Sequence, residues 1–433
     1  MVYPPPMPLQ MCNAQVVSPR ITPLVQHAKP MLITVGKATH AQTRRHNNRL
    51  VLQTVYDQSP LSRADVARAT NLTATTVSTV VGELLEEGLI QELGAVSTDR
   101  GKPPTLISLN KDARHIIALD LSRKIFQGSI LNLRGEILLQ RYIPLENRSG
   151  KEALAVVHTL LQDLLQESTT PLLGIGIGAP GIIDPNNSVI RQAANLGWYN
   201  LELGDLLSQE YGQNVQVVND TQAILLAENL FGTYKNSSDM VVIRIGNGIG
   251  AAIMCNGQLL HGNGSGVGEI GHVVVVDGGE RCSCGNDGCL ETVASSRALI
   301  RQAKQLARSH PGSALHQLTT DIDAITLETV VEAFRLGDPL VTPLVTQVGY
   351  HLGSAIAHLI SVVGTPRILL CGGLTEFGKP FMDVIRFEAR RRCLTGRLTE
   401  PEICPVTLTT NLSDLVVMGA AATLLANELG LFW

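Results

Sequence analysis

A small winged helix-turn-helix followed by a larger α/β body of two lobes is the fold class this sequence predicts, on three observations. Residues 47–110 carry three short helical patterns and then two apolar runs around a basic loop. After Asn110, apolar runs rich in β-branched residues alternate with helical stretches, as in buried sheets linked by crossover helices. A chain of 433 residues is also too long for one ordinary core. The expected division is a Pro-rich, disordered extension over 1–40, the winged helix over 41–110, a first lobe over 111–238 and a second over 239–433. The C-terminal helix is expected to return to the first lobe.

In the small module, helix one spans about Asn48 to Tyr56 and offers Leu50, Val51, Val55 and Tyr56 to a core. Ser62 with Asp65 three places on is a capping-box signature, and it opens helix two. Asn71-Leu72 makes the turn. Helix three runs from Thr73 to Glu87 and buries Val77, Val81, Leu84 and Leu85 at helical spacing until Gly88 stops it. Leu89 to Leu93 and Thr105 to Leu109 read as strands around the wing, which carries Arg100, Gly101 and Lys102.

Short hydroxyl side chains at the start of helix three (Thr73, Thr75, Thr76, Ser78 and Thr79) suit base edges, and Arg100 and Lys102 suit phosphates. Ser62 and Arg63 join them as candidates at the start of helix two. Upstream, Lys37, Arg44, Arg45, Arg49 and Arg63 face a single acid, Asp57. The partner this arrangement predicts is double-stranded DNA. A protein-binding helical domain with a solvated threonine face is the bland alternative. The net charge of −4 excludes a wholesale nucleic-acid coat but leaves room for one basic module.

In the body, the predicted strands are Ile116–Leu121, Gly128–Leu133, Leu172–Gly178, Val215–Val218, Met240–Ile245 and Arg367–Cys371. Helical stretches at Glu152–Gln166, Thr221–Phe231 and Val341–Ile360 separate them. There is no run of about 18 apolar residues to span a membrane and no apolar signal core near the N-terminus, so a cytoplasmic protein is expected. His272 precedes Cys282-Ser283-Cys284 and Cys289, a Cys₃His set with the softness and number for structural zinc. Gly174 to Gly181 is read as letting backbone approach a ligand, and Gly246 to Gly250 as exposing amides to an anion. Asn219-Asp220 sits where a strand meets a helix, a usual ligand position in α/β sheets.

These motifs resemble the ROK family (repressor, open reading frame, kinase), and its repressor branch in particular. The resemblance rests on Leu61-Ser62-Arg63-Ala64-Asp65, Gly101-Lys102-Pro103-Pro104, Ala179-Pro180-Gly181, Asn219-Asp220, Glu269-Ile270-Gly271-His272 and the cysteine loop closed by Cys289-Leu290-Glu291. It implies an actin-like ATPase (sugar kinase-like) fold, zinc, and a monosaccharide held by Asn219, Asp220, Glu269, His272 and Glu291. In the family's kinases the residue matching Asp220 is the general base. Those kinases carry Asp-x-Gly-Gly-Thr-Lys in the first phosphate loop, whereas this chain reads Asp120-Leu121-Ser122-Arg123-Lys124-Ile125. A non-catalytic, sugar-sensing repressor is therefore expected, acting as a homodimer or homotetramer. The alternatives are an active sugar kinase with an appended DNA-binding domain, in which Asp220 is catalytic, and a repressor controlled by a partner protein.

Overall fold

The computed structural model describes residues 39–95, 104–122, 124–262, 266–394 and 400–431. The extension over 1–38, Arg100 and Lys102 of the wing, and Arg123 lie outside them.

The N-terminal module comprises α1 (His40–Gln58), β1 (Leu61–Ser62), α2 (Arg63–Thr70), α3 (Ala74–Glu86), β2 (Ile90–Ala95) and β3 (Thr105–Leu109). Helix α1 is longer than its apolar spacing indicates, because polar residues 40–47 continue the helix without contributing to the periodicity. Ser62 and Asp65 form the reciprocal capping box, and Asn71 adopts the left-handed conformation that ends α2. The short β1 pairs with β3, which also pairs with β2. Val77, Val80, Val81 and Leu84 line the buried face of α3, with Leu85 only half-buried at its border.

Next come β4 (His115–Asp120), β5 (Ile125–Leu131), β6 (Ile137–Pro144), α4 (Gly150–Glu167), β7 (Leu172–Ala179), β8 (Ile182–Asp184), β9 (Val189–Ala193), β10 (Trp198–Leu201), α5 (Leu203–Tyr211), β11 (Val215–Asn219) and α6 (Asp220–Phe231). The chain continues with β12 (Met240–Ile245), β13 (Ile249–Cys255), β14 (Gln258–Leu259), α7 (Leu290–Ala294), α8 (Ser296–Ser309), α9 (Leu315–Leu318), α10 (Leu327–Arg335) and α11 (Val341–Val363). It ends with β15 (Arg367–Cys371), α12 (Gly378–Arg392), β16 (Glu402–Pro405) and α13 (Leu412–Leu429).

Two five-stranded sheets share one topology: β6-β5-β4-β7-β11 in the first, β14-β13-β12-β15-β16 in the second. In each, the first three strands form an antiparallel meander and the last two add in parallel. A parallel neighbour requires a crossover, which α4 supplies before β7. Helices α13 and α6 lie between the sheets, α13 packed on β4 and β7, and α6 on β12 and β13. Strand alternation then decides which residues face them. Met240 and Val242 join the central core on the α6 side, whereas Val241, Ile243 and Ile245 join the core built on α11 and α12. Ile116 and Ala118 of β4 face inward by the same rule, and Ile117 and Leu119 pack outward.

Candidate ligand cleft and metal centre

The parity that sends Met240 and Val242 inward also sends Arg244, two residues further along β12, toward the helix pair. The parity of β4 does the same for Asp120. Asp220, the first residue of α6, is 4% exposed and forms an ion pair with the Arg244 guanidinium. Its Oδ1 accepts from the Thr221 amide at 2.7 Å and from the Thr221 hydroxyl at 3.2 Å. Arg244 also reaches Ser122 Oγ at 3.5 Å. Asp120 is wholly buried, accepts from the Ser122 amide at 2.8 Å, and burial holds its carboxyl above the usual carboxylate range. Arg244 escaped the sequence reading, although a lone cation inside an otherwise apolar strand is a legible signal.

A cavity opens at the start of α6, lined by Gly181, Asn219, Thr221, Gln222, Gly250 and Glu269 among others. Asn219 caps α6, accepting from the Thr221 and Gln222 amides, and its Nδ2 donates to the Gly181 carbonyl at 2.9 Å. Of the five candidate ligand residues, Asn219 and Glu269 line this cavity; Asp220, His272 and Glu291 are not in its wall. His272 stands 3.8 Å from Glu269 and 3.8 Å from Glu291, so the three are contiguous.

His272 is also where the cleft meets the cysteine loop. One ligand atom from each of His272, Cys282, Cys284 and Cys289 lies within 4.8 Å of the others, a cluster that could hold a metal ion. The Cys284 and Cys289 sulfurs are 3.6 Å apart, and His272 Nδ1 is 3.5 Å from Cys282 Sγ. Tetrahedral bonds of about 2.3 Å place neighbouring sulfurs about 3.8 Å apart, so the spacing fits. The Asn286 amide holds the Cys284 thiol down to about 7, while burial pushes Cys289 up to about 12. Gly288, at φ +75°, permits the fold-back, since a Cβ there would meet the Val276 carbonyl oxygen at 1.7 Å. Glu291, on α7, accepts from the Cys282 thiol at 3.2 Å and so links this cluster to the cleft.

The first glycine run needs correction. A Cβ on Gly174, Gly176 or Gly178 would strike Leu424, Ala420 or Val416 respectively, so this stripe admits helix α13 rather than a ligand; only Gly181 of the run lines the cavity. In the second run, Gly246 closes a tight turn by donating to the Gly248 carbonyl at 2.9 Å, so its own amide is engaged.

In the N-terminal module, Thr73, Thr75, Ser78 and Thr79 are exposed and Thr76 half-buried. Thr73 caps α3 through the Thr76 amide at 3.2 Å. Ser62 is buried, with both its amide and hydroxyl engaged by Asp65, and Arg63 bonds Glu92 at 3.0 Å. Ser62 is thus taken up by the capping box and does not join the exposed hydroxyl face.

The ROK family model matches residues 116–427, more than half of the chain. The chain belongs to the ROK family. A winged helix-turn-helix DNA-binding model matches residues 44–91. This ROK chain is 30% identical over 399 residues to the xylose repressor of Caldicellulosiruptor bescii, covering 90% of this chain and 98% of that one. It is 29% identical over 345 residues to the DNA-binding transcriptional dual regulator NagC of Escherichia coli K12, covering 78% and 83%. Among solved structures, a ROK family transcriptional regulator homologous to the E. coli MLC protein superposes with a TM-score of 0.80 at 27% identity, over 90% of this chain and 98% of that one. The ROK glucokinase of Streptomyces griseus, solved with glucose and AMPPNP, matches 71% of this chain and 98% of its own at 27% identity and a TM-score of 0.62. The kinase thus matches less of the chain than the regulator does.

Proposed function

We propose that this ROK protein is a sugar-responsive transcriptional repressor, released from its operator when a monosaccharide occupies the cavity at the start of α6. The observation that carries this reading is a winged helix with a largely exposed row of hydroxyl side chains on α3, joined in one chain to a cleft lined by Asn219 and Glu269. Relatives named as sugar repressors that align over nearly their whole length support it. Thr73, Thr75, Thr76, Ser78 and Thr79 read base edges, and Arg100 and Lys102 neutralise phosphate. Two such modules on a pseudo-palindrome make the working form a homodimer or homotetramer, acting in the cytoplasm.

Asn219, Asp220, Glu269, His272 and Glu291 hold the sugar hydroxyls. Zinc on His272, Cys282, Cys284 and Cys289 ties residues 272–291 into one loop and fixes the imidazole beside Glu269; with four protein ligands it is structural. Phosphoryl transfer is not part of this reading. The first phosphate loop carries a side chain at Ser122 where the kinases have glycine, and Asp220 is engaged by Arg244.

A gel-shift titration against an operator selected from random duplexes tests the reading, with D-xylose, D-glucose and N-acetylglucosamine as effectors. Loss of operator affinity with one sugar supports it. Indifference to every sugar, or ATP-dependent phosphorylation of one, refutes it.

A further inference from the structure

The cavity and the DNA-binding module meet opposite ends of the same helix. Asn219, Thr221 and Gln222 at the start of α6 line the cavity. The 12 residues of α6 rise by about 18 Å to its far end. There Phe231 lies under Gly135, whose Cβ, were there one, would sit 2.5 Å from the ring. Gly135 belongs to the β5–β6 turn that carries Arg134. The Arg134 guanidinium stacks 4.3 Å from the centre of the Tyr56 ring and donates to the Tyr56 carbonyl at 2.7 Å. Four residues past α6, Lys235 pairs with Asp57 at 2.8 Å and lies 5.2 Å from the centre of the same ring. Tyr56 and Asp57 lie in the last turn of α1, which precedes the β1 and α2 that support the recognition helix.

From this we propose that α6 is the rod that couples the cavity to the winged helix, and that Arg134 and Lys235 are its grip on α1. The inference rests on the reading of the cavity as the sugar site and of α3 as the DNA-reading helix. It adds the route between them. A ligand that draws the start of α6 toward Glu269 displaces Phe231 with it, because a hydrogen-bonded helix moves as a unit. Lys235 follows because the turn after α6 is tied back to the helix by the Asn236 amide donating to the Asn229 carbonyl at 2.9 Å. Glu228 accepts from the Thr407 and Leu408 amides at 2.6 and 2.9 Å, so the segment following β16 is carried with the far end of α6. The grip on Tyr56 and Asp57 then re-aims α1 and the module built on it.

The test uses the full-length protein, an operator selected from random duplexes, and the three sugars above as probes. In the Arg134→Gln, Lys235→Met double variant, sugar affinity by calorimetry and sugar-free operator affinity are expected to stay within about threefold of wild type. The sugar-dependent loss of operator affinity, about tenfold or more in wild type, is expected to shrink below about threefold. Undiminished coupling in a variant that still binds sugar and operator overturns the proposal. Lys235→Met alone, which keeps the stem and removes only the charge, serves if the double variant does not fold. A wild-type protein indifferent to all three sugars overturns the repressor reading, and the coupling with it.

Discussion

Arg244 and Asp220 form an ion pair at the first residue of α6, between the cavity residues Asn219 and Thr221 in sequence. A guanidinium on an inward-facing strand position is tolerated because a carboxylate opposes it. Truncating one partner leaves the other charge nearly buried and uncompensated, so Arg244→Met should destabilise the protein by about 3 kcal/mol. The Arg244→Met, Asp220→Asn pair should recover much of that. Urea unfolding of the two single variants and the pair checks the cycle, and simple additivity would refute the coupling. Asp120 makes a second prediction, through pH. Its carboxyl lies above the usual range because of burial, so the folded chain binds its proton more tightly than the unfolded chain. That group's contribution to stability falls as pH rises from the unfolded value toward the folded one. Asp120→Asn should therefore raise the melting temperature at pH 8 and raise it less at pH 5. An equal shift at both pH values contradicts this account.

At the scale of elements, α13 and α6 approach each other closely. A Cβ on Gly419 would lie 1.7 Å from the Ala223 carbonyl oxygen, so the two helices meet backbone to backbone. The glycine stripe of β7 lets the other side of α13 sit equally low. Gly419→Ala must push the helices apart and should cost about 3 kcal/mol or more, read as a fall in the unfolding midpoint. Helix α13 has 18 residues and a mean hydropathy of 1.3, enough by length and composition to cross a membrane. Its packing between α6 and the first sheet accounts for that composition. In the small module the Ser62 cap fixes where α2 begins, and Ser62→Ala should cost about 1 kcal/mol in thermal unfolding.

At the scale of the whole molecule, two sheets of identical strand order face each other across α13 and α6, and each has a turn between its antiparallel strands at the matching place. The β4–β5 turn holds Ser122, and the β12–β13 turn runs from Gly246 to Gly248. The cysteine loop follows the second sheet's β14, and its His272 lies 3.8 Å from Glu269 in the cavity wall. If zinc organises that loop, purified protein should contain about one zinc per chain. Chelation should then lower both the melting temperature and the sugar-induced shift in it. A metal-free protein with the same melting temperature and the same sugar shift would contradict the structural role.

The sequence by itself determined most of the local architecture. The Ser62–Asp65 cap, the periodicity of α3 and the apolar runs of β4, β7, β12 and β15 are short-range features, settled by residues a few positions apart. The clustering of His272, Cys282, Cys284 and Cys289 was legible for the same reason, since ligand spacing in a glycine-bearing loop is local information. Whatever depended on residues far apart in the chain was decided by tertiary structure. The β7 glycines face a helix that begins more than 200 residues later, so no local pattern could say that α13, and not a ligand, approaches them. Arg244 finds Asp220, and Lys235 finds Asp57, across separate elements. The shared topology of the two sheets likewise rests on pairing between distant strands. Local propensity depends on neighbours in sequence; charge pairing, close packing and the route from cleft to winged helix depend on neighbours in space, which only the folded chain brings together.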